Sequence, residues 1–229
     1  MSRLGAADGE ARLDAGFVIS WVEELATEVR EHRDYLTQLD AAIGDADHGI
    51  NMDRGLTAAL AKAREMQAEP PGTVLEAVGL ELVYTVGGAA GPLYGTGLRD
   101  MGRSLGDGPT FDPEDLLKAL RAGLAAIQSM GAAAEGDKTI VDAFSPALAG
   151  LERGLRAGDP LLVALGRARR AAEEGVRATV AMQARKGRAS YLGPRSVGHQ
   201  DPGATSAALL FSSLERAADV AVRTLGAES

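Results

Sequence analysis

The densest group of chemistry-bearing residues is Leu39-Asp40-Ala41-Ala42-Ile43-Gly44-Asp45-Ala46-Asp47-His48-Gly49-Ile50-Asn51-Met52. Asp40, Asp45 and Asp47 place three carboxylates within eight residues. Gathered in a fold they repel one another, so they need a cation or must take up protons. Hard divalent ions favour oxygen ligands, and Mg²⁺ is commonly held by a few carboxylates together with substrate phosphates and water. The spacing is not that of a twelve-residue calcium loop, because no bidentate Glu stands at the twelfth position. The plainer alternative is a solvated acidic loop that caps the next helix. Against it stand the apolar Ile43 and Ile50, which suit a loop packed on the protein, and the bracketing Gly44 and Gly49. His48 suits a phosphate contact, or equally a surface position near carboxylates. Asn51 suits a nucleotide contact or a helix cap.

Two glycine-rich stretches complement this group. Gly87-Gly88-Ala89-Ala90-Gly91-Pro92-Leu93-Tyr94-Gly95-Thr96 reads as a joint between helices with almost no side chain. It suits tight helix packing, or a flat backbone surface for an adenine ring or phosphates. It is not a Walker loop and follows no strand, so the dinucleotide fingerprint does not apply. Further on, Arg185, Lys186 and Arg188 precede a loop that enters a helix at Asp201-Pro202-Gly203. Cations there suit the negative end of the preceding helix. They also suit an anion site, since guanidinium matches phosphate oxygens and a helix N-terminus offers free amides. Carboxylates, cations and glycine-rich backbone together imply a magnesium–nucleotide site. They do not specify the nucleotide or the acceptor.

The elements that position these residues are helical. Aromatics make up only 4% of the 229 residues, while alanine and leucine dominate, and no run alternates with period two. Val18, Trp21, Val22, Leu25, Val29 and Leu36 line a first helix over about 14–38, and Ile50, Leu56, Leu60, Ala63 and Met66 a second over about 51–68. Pro70-Pro71-Gly72 stops the second, and Thr73 with Glu76 has the capping-box spacing for a third. Asp112-Pro113, Asp159-Pro160 and Asp201-Pro202 predict helix starts at 113, 160 and 202. Helices over about 92–105 and 138–156 bring the total to about eight. The 29 glycines, well above the usual ~7%, are read as clustering in loops.

Composition excludes several classes. With no cysteine there is no disulfide scaffold, thiolate metal site or cysteine nucleophile. A net charge of −8 argues against binding to nucleic acid or an anionic membrane. No apolar run approaches the ~20 residues of a membrane span, and the N-terminus lacks a secretory layout. The expectation is a cytoplasmic protein with a short leader over 1–13 and a single helical domain over 14–229.

These segments together resemble the ADP-binding L subunits of bacterial dihydroxyacetone kinases. The resemblance is carried by LDAAIGDADHGINMDRG at 39–55, GGAAGPLYGT at 87–96, GDKTIVDAFSPAL at 136–148 and MQARKGRASYLGPRSVGHQDPGATS at 182–206. It implies an all-α fold of eight antiparallel helices in a closed, barrel-like bundle, with nucleotide and two Mg²⁺ among the loops at one end. By the same resemblance Asp40, Asp45 and Asp47 hold the metals. Nucleotide contacts fall on His48, Gly49, Ile50 and Asn51, on Ala89 and Ala90, and on Gly131 and Ile140. Others fall on Arg188, which stabilises phosphate, and on Asp201, Pro202 and Gly203. Ala90 stands where serine is frequent, which loses a hydroxyl contact. Ile140 stands where methionine is common, which preserves an apolar wall.

The family has a fused branch that uses ATP as an exchangeable substrate, and a branch in which the L subunit is a separate chain. In the second, ADP stays bound as a coenzyme, a phosphohistidine of an M subunit converts it to ATP, and ATP phosphorylates dihydroxyacetone held on a K subunit. A chain of this length without a K domain resembles the second branch. The resemblance assigns no general base here, and it makes the loop around 182–200 a lid that excludes water. Alternatives are an L-type subunit serving another ketose or tetrose with exchangeable ATP, and a nucleotide-loaded regulatory module that binds a transcription regulator.

Overall fold

The computed structural model describes residues 12–227. Its helices are α1 (Ala15–Glu31), α2 (Arg33–Ile43), α3 (His48–Arg64), α4 (Pro71–Thr85), α5 (Ala90–Leu105), α6 (Pro113–Gly131), α7 (Val141–Arg156), α8 (Leu161–Ala178) and α9 (Pro202–Ala227). Two short 3₁₀ segments, Thr179–Ala181 and Arg188–Ser196, lie between α8 and α9. No strand is present among the described residues; one isolated antiparallel bridge joins Leu13 and Phe111. The expected leader over 1–13 lies almost wholly outside the described residues, but Leu13 is buried by that bridge. No described helix is long and apolar enough to cross a membrane.

Local chemistry accounts for several helix starts. Asp112 accepts a hydrogen bond from the Asp115 amide at 2.8 Å, and the Asp115 carboxylate accepts one from the Asp112 amide, a complete capping box ahead of Pro113. Asp14 caps α1 through the Phe17 amide, and Asp201 caps α9 through the Ala204 amide at 2.7 Å. Such caps are worth about 1 kcal/mol each.

Other starts and stops differ from the sequence pattern. The first predicted helix is two helices, broken at His32, whose backbone leaves helical geometry (φ −100°, ψ 8°) and whose Nδ1 lies 2.8 Å from the Glu28 carbonyl. No glycine or proline marks that break. The second helix is shifted, beginning at His48 and ending at Arg64. Thr73 and Glu76 form no capping box, because α4 starts earlier at Pro71 and places both inside the helix. At Asp159-Pro160 the proline takes the cap position, the helix begins at Leu161, and Asp159 pairs with Arg167 at 2.6 Å.

Packing follows chain order from α3 to α9, each helix lying on the next; α9 packs on α1, α1 on α3, and the short α2 on α3 and α9. The core between them holds Phe17, Leu56, Leu82, Leu120, Phe144 and Phe211, with Phe144 and Phe211 edge to face at 4.9 Å. Many glycines expected in loops instead lie inside helices at crossings. A methyl group on Gly79 of α4 would come within 2.5 Å of the Gly95 carbonyl oxygen, and one on Gly95 of α5 within 2.6 Å of the Gly79 carbonyl oxygen. Gly72 and Gly102 stand in the same reciprocal relation two helical turns away. The α4–α5 pair is close because neither backbone carries a side chain at the crossing.

Candidate functional site

A cavity of about 500 Å³ opens at one end of the helices. The N-terminal ends of α3, α5, α7 and α9 reach it, through Asp47 and His48, Ala89 and Ala90, Thr139 and Ile140, and Asp201 to Gly203. The C-terminal ends of α2 and α6 reach it through Asp40, Ile43, Ile127 and Gly131. Four helix N-termini bring their positive dipole ends to one space, which favours a polyanion; the amides of Asp47, His48, Thr139 and Ala204 are already spent on Asp40, Asp142 and Asp201. The α2 C-terminus, with the opposite sign, carries Asp40.

The carboxylate turn is built around Asp40. Its Oδ2 accepts hydrogen bonds from the Asp47 amide (2.9 Å) and the His48 amide (3.2 Å), which pulls the turn back over the end of α2. Gly44 makes room: any side chain there would run into Asp40 Oδ1. Ala46 adopts φ 63°, the left-handed region, and lets the chain reverse between Asp45 and Asp47. As a result, one oxygen each from Asp40, Asp45 and Asp47 lies within 4.8 Å of the others. Asp40 is buried, Asp47 is half-buried and Asp45 is exposed. All three donors are carboxylate oxygens, which fits a hard divalent cation. Arg188 Nη2 lies 2.9 Å from Asp45 Oδ2 and brings a fixed positive charge to the cluster.

Behind the carboxylates runs a buried polar chain. His48 Nε2 lies 2.9 Å from Ser206 Oγ, which lies 2.7 Å from the Tyr94 hydroxyl and donates to the Gly203 carbonyl at 3.1 Å. Burial holds the His48 pKa below its usual value, although Asp40 and Asp47 pull it up. Burial likewise pushes the Tyr94 hydroxyl up. Asp201 is the most perturbed carboxyl: burial raises its pKa to about 7, with Asp142 adding to the rise, while the Ala204 amide and Lys138 oppose it.

Twelve of the fifteen residues expected at the site line this cavity: Asp40, Asp45, Asp47, His48, Ala89, Ala90, Gly131, Ile140, Arg188, Asp201, Pro202 and Gly203. Gly49, Ile50 and Asn51 are not among its lining residues. Gly49 is pressed against the Arg33 carbonyl of α2, Ile50 is exposed, and Asn51 is buried against Gly87 with its Oδ1 accepting from Arg54 at 2.9 Å. The wall also holds residues that sequence reasoning passed over, chiefly Tyr94, Lys138 and Thr139, with Leu93, Ile127 and Met130 supplying apolar surface. Lys138 stands inside the quoted stretch GDKTI, yet a single lysine there carries no local sign of burial.

A DAK2 domain model matches residues 42–216. The chain is 39% identical over 201 residues, 88% of its length and 96% of the relative's, to the PEP-dependent dihydroxyacetone kinase 1 ADP-binding subunit DhaL of Listeria innocua. It is equally similar to the corresponding ADP-binding subunit of Escherichia coli, again 39% over 88% and 96%. Among solved structures, the dihydroxyacetone kinase of C. freundii in complex with AMP-PNP and Mg²⁺ superposes with a TM-score of 0.67 at 27% identity, covering 87% of this chain and 33% of that one. By the extent of these matches, running through the carboxylate turn and into α9, the chain belongs to the DAK2 domain family.

Proposed function

We propose that this chain is the nucleotide-binding subunit of a dihydroxyacetone kinase. ADP stays bound in the cavity, a phosphohistidine on an M-type subunit converts it to ATP, and the γ-phosphoryl group passes to dihydroxyacetone held on a K-type subunit. The observation that carries this reading is the meeting of three carboxylates with four helix N-termini around one cavity. Its volume falls within the ~300–1,000 Å³ usual for small-molecule sites. The relatives, named as ADP-binding subunits of such kinases, support it at near full length.

Asp40, Asp45 and Asp47 would hold the magnesium, and the resemblance assigns them two ions. When bound, the magnesium nucleotide supplies the group that carries the phosphoryl and the cations that neutralise its charge. The chain's own residues do the positioning. The positive ends of α3, α5 and α9 would face the phosphates, and Arg188 would add a guanidinium beside Asp45. Ile140, Leu93 and Ile127 form an apolar wall for the base. No general base is assigned here, so the proton of the acceptor hydroxyl is handled by the partner subunit. The segment from Met182 to Gln200 covers one side of the cavity and limits water entry.

The test is an inventory of the purified, extensively dialysed protein: nucleotide by ion-exchange chromatography after heat denaturation, and magnesium by elemental analysis. Near-stoichiometric ADP with about two Mg²⁺ per chain supports the bound-coenzyme reading. An empty protein that takes up ATP weakly favours exchangeable ATP. A protein that binds neither nucleotide nor magnesium overturns the site.

A further inference from the structure

Lys138, which carries a charge, is almost completely buried. Its Nζ donates three hydrogen bonds, to the carbonyls of Ser196 (2.5 Å), His199 (2.5 Å) and Met182 (3.1 Å). An ammonium group has three N–H donors, so all are used. All three acceptors lie in the segment between α8 and α9, at its two ends. That segment carries Lys186, Gly187 and Arg188 to the cavity, and Arg188 to Asp45.

The turn that presents Lys138 is itself tightly held. Asp142 accepts from the Gly136 amide (2.6 Å) and the Thr139 amide (2.7 Å), and Lys138 takes φ 62°, a conformation that costs a non-glycine residue energy. Next to it, the Asp137 carbonyl accepts from the Arg185 amide at 3.0 Å. Thr139 and Ile140, the next two residues, form cavity wall. Burial lowers the Lys138 pKa and nearby Asp201 offsets this. A buried cation that spends every donor on the carbonyls of one segment is a poor substrate ligand and a good tether.

We infer that Lys138 is a positioning residue: it ties both ends of the 182–199 segment to the start of α7 and so holds Arg188 over the carboxylates. The consequence for nucleotide retention rests on the function proposed above; the tether itself does not. The test is Lys138→Met, near-isosteric and without donors, in the full chain. Hydrogen exchange is followed first in chelator without nucleotide. The amides of Ala184, Arg185 and Gly198 are the reporters, since each holds the segment in place: Ala184 donates to Ser196 Oγ within it, Arg185 to the Asp137 carbonyl of the turn before α7, and Gly198 to the Val180 carbonyl just before the segment.

Expected is exchange at least tenfold faster at these amides, with Phe144 and Leu210 in the core changed by less than twofold. Unchanged reporters overturn the tether, and so does uniform acceleration across the core, which would mark Lys138 as a general stabiliser. Should Lys138→Met not fold, Lys138→Gln, which keeps two donors and no charge, is read the same way. In the second arm, ADP release is timed in wild type, Lys138→Met, Arg188→Ala and the double variant. Tenfold faster release in Lys138→Met, with no added effect in the Arg188→Ala background, is expected of a residue that works through Arg188. Additive effects, or release unchanged in Lys138→Met, overturn the positioning role. Failure of wild type to bind ADP would instead overturn the proposed function, leaving the exchange arm to decide the tether.

Discussion

His48 and Ser206 are separated by 158 positions in the chain, yet His48 Nε2 lies 2.9 Å from Ser206 Oγ. The contact joins the first turn of α3 to the second turn of α9, and through Tyr94 it reaches α5 as well. One hydroxyl thus binds three of the helix N-termini that surround the cavity. Ser206→Ala would leave the buried Tyr94 hydroxyl without that partner, at a cost of about 1–3 kcal/mol. Tyr94→Phe should cost less, because Ser206 keeps His48 and Gly203. In the double variant the orphaned hydroxyl is gone, so urea denaturation should show a loss well below the sum of the two. A fully additive cycle would refute this account of the chain.

The three aspartates should separate by role. In chelator, Asp45→Ala should leave stability within about 0.5 kcal/mol of wild type, because Asp45 is exposed and its removal relieves like-charge repulsion. Asp40→Ala should lose about 1–3 kcal/mol under the same conditions, since the Asp47 and His48 amides lose their acceptor. Both should abolish the rise in melting temperature produced by Mg²⁺. A full magnesium-dependent rise in Asp45→Ala would remove that residue from the metal site.

Asp201 predicts a pH dependence. Its folded pKa of about 7 lies above the ~3.9 of an unfolded aspartate. Between these values the folded state holds a proton that the unfolded state has lost, so stability falls as pH rises. Nucleotide-free wild type should therefore gain stability over Asp201→Asn as the pH is lowered from about 7 to 4, with little change outside that window. Parallel stability curves for the two proteins would show that Asp201 titrates normally.

The α4–α5 crossing predicts intolerance of a single methyl group. Gly79→Ala or Gly95→Ala places Cβ within 2.5–2.6 Å of the facing carbonyl oxygen, and backbone cannot rotate away as a side chain can. Each should cost about 1–3 kcal/mol by overpacking, despite alanine's better helix propensity. Gly108, exposed in a loop and met only at 3.5 Å, serves as the control and should be near neutral. Chemical denaturation of the three variants decides the matter; equal effects would mean that the crossing is not the constraint.

What could be read from the chain alone was local. Helical periodicity, the Asp112 and Asp201 caps and the clustering of Asp40, Asp45 and Asp47 depend on residues within a few positions of one another, so composition and spacing expose them. Even the acidic turn is local, since Asp40 is held by amides only seven and eight residues away. Features that depend on distant partners were not legible. No pattern distinguishes Gly79 and Gly95, which let two backbones touch, from glycines that turn a loop. Nothing near His32 marks the helix break, because no proline or glycine stands there. Asn51 carries the polarity of a ligand contact, but helical rotation sets it against Gly87 and Arg54. Lys138 looks like any surface lysine until the fold supplies three carbonyls from 44, 58 and 61 residues away. Neighbouring residues alone specify an all-helical chain with a carboxylate turn and an arginine-bearing loop. Only tertiary packing decided that four helix N-termini share one cavity, because hydrogen bonds and close contacts between remote segments have no signature in local spacing.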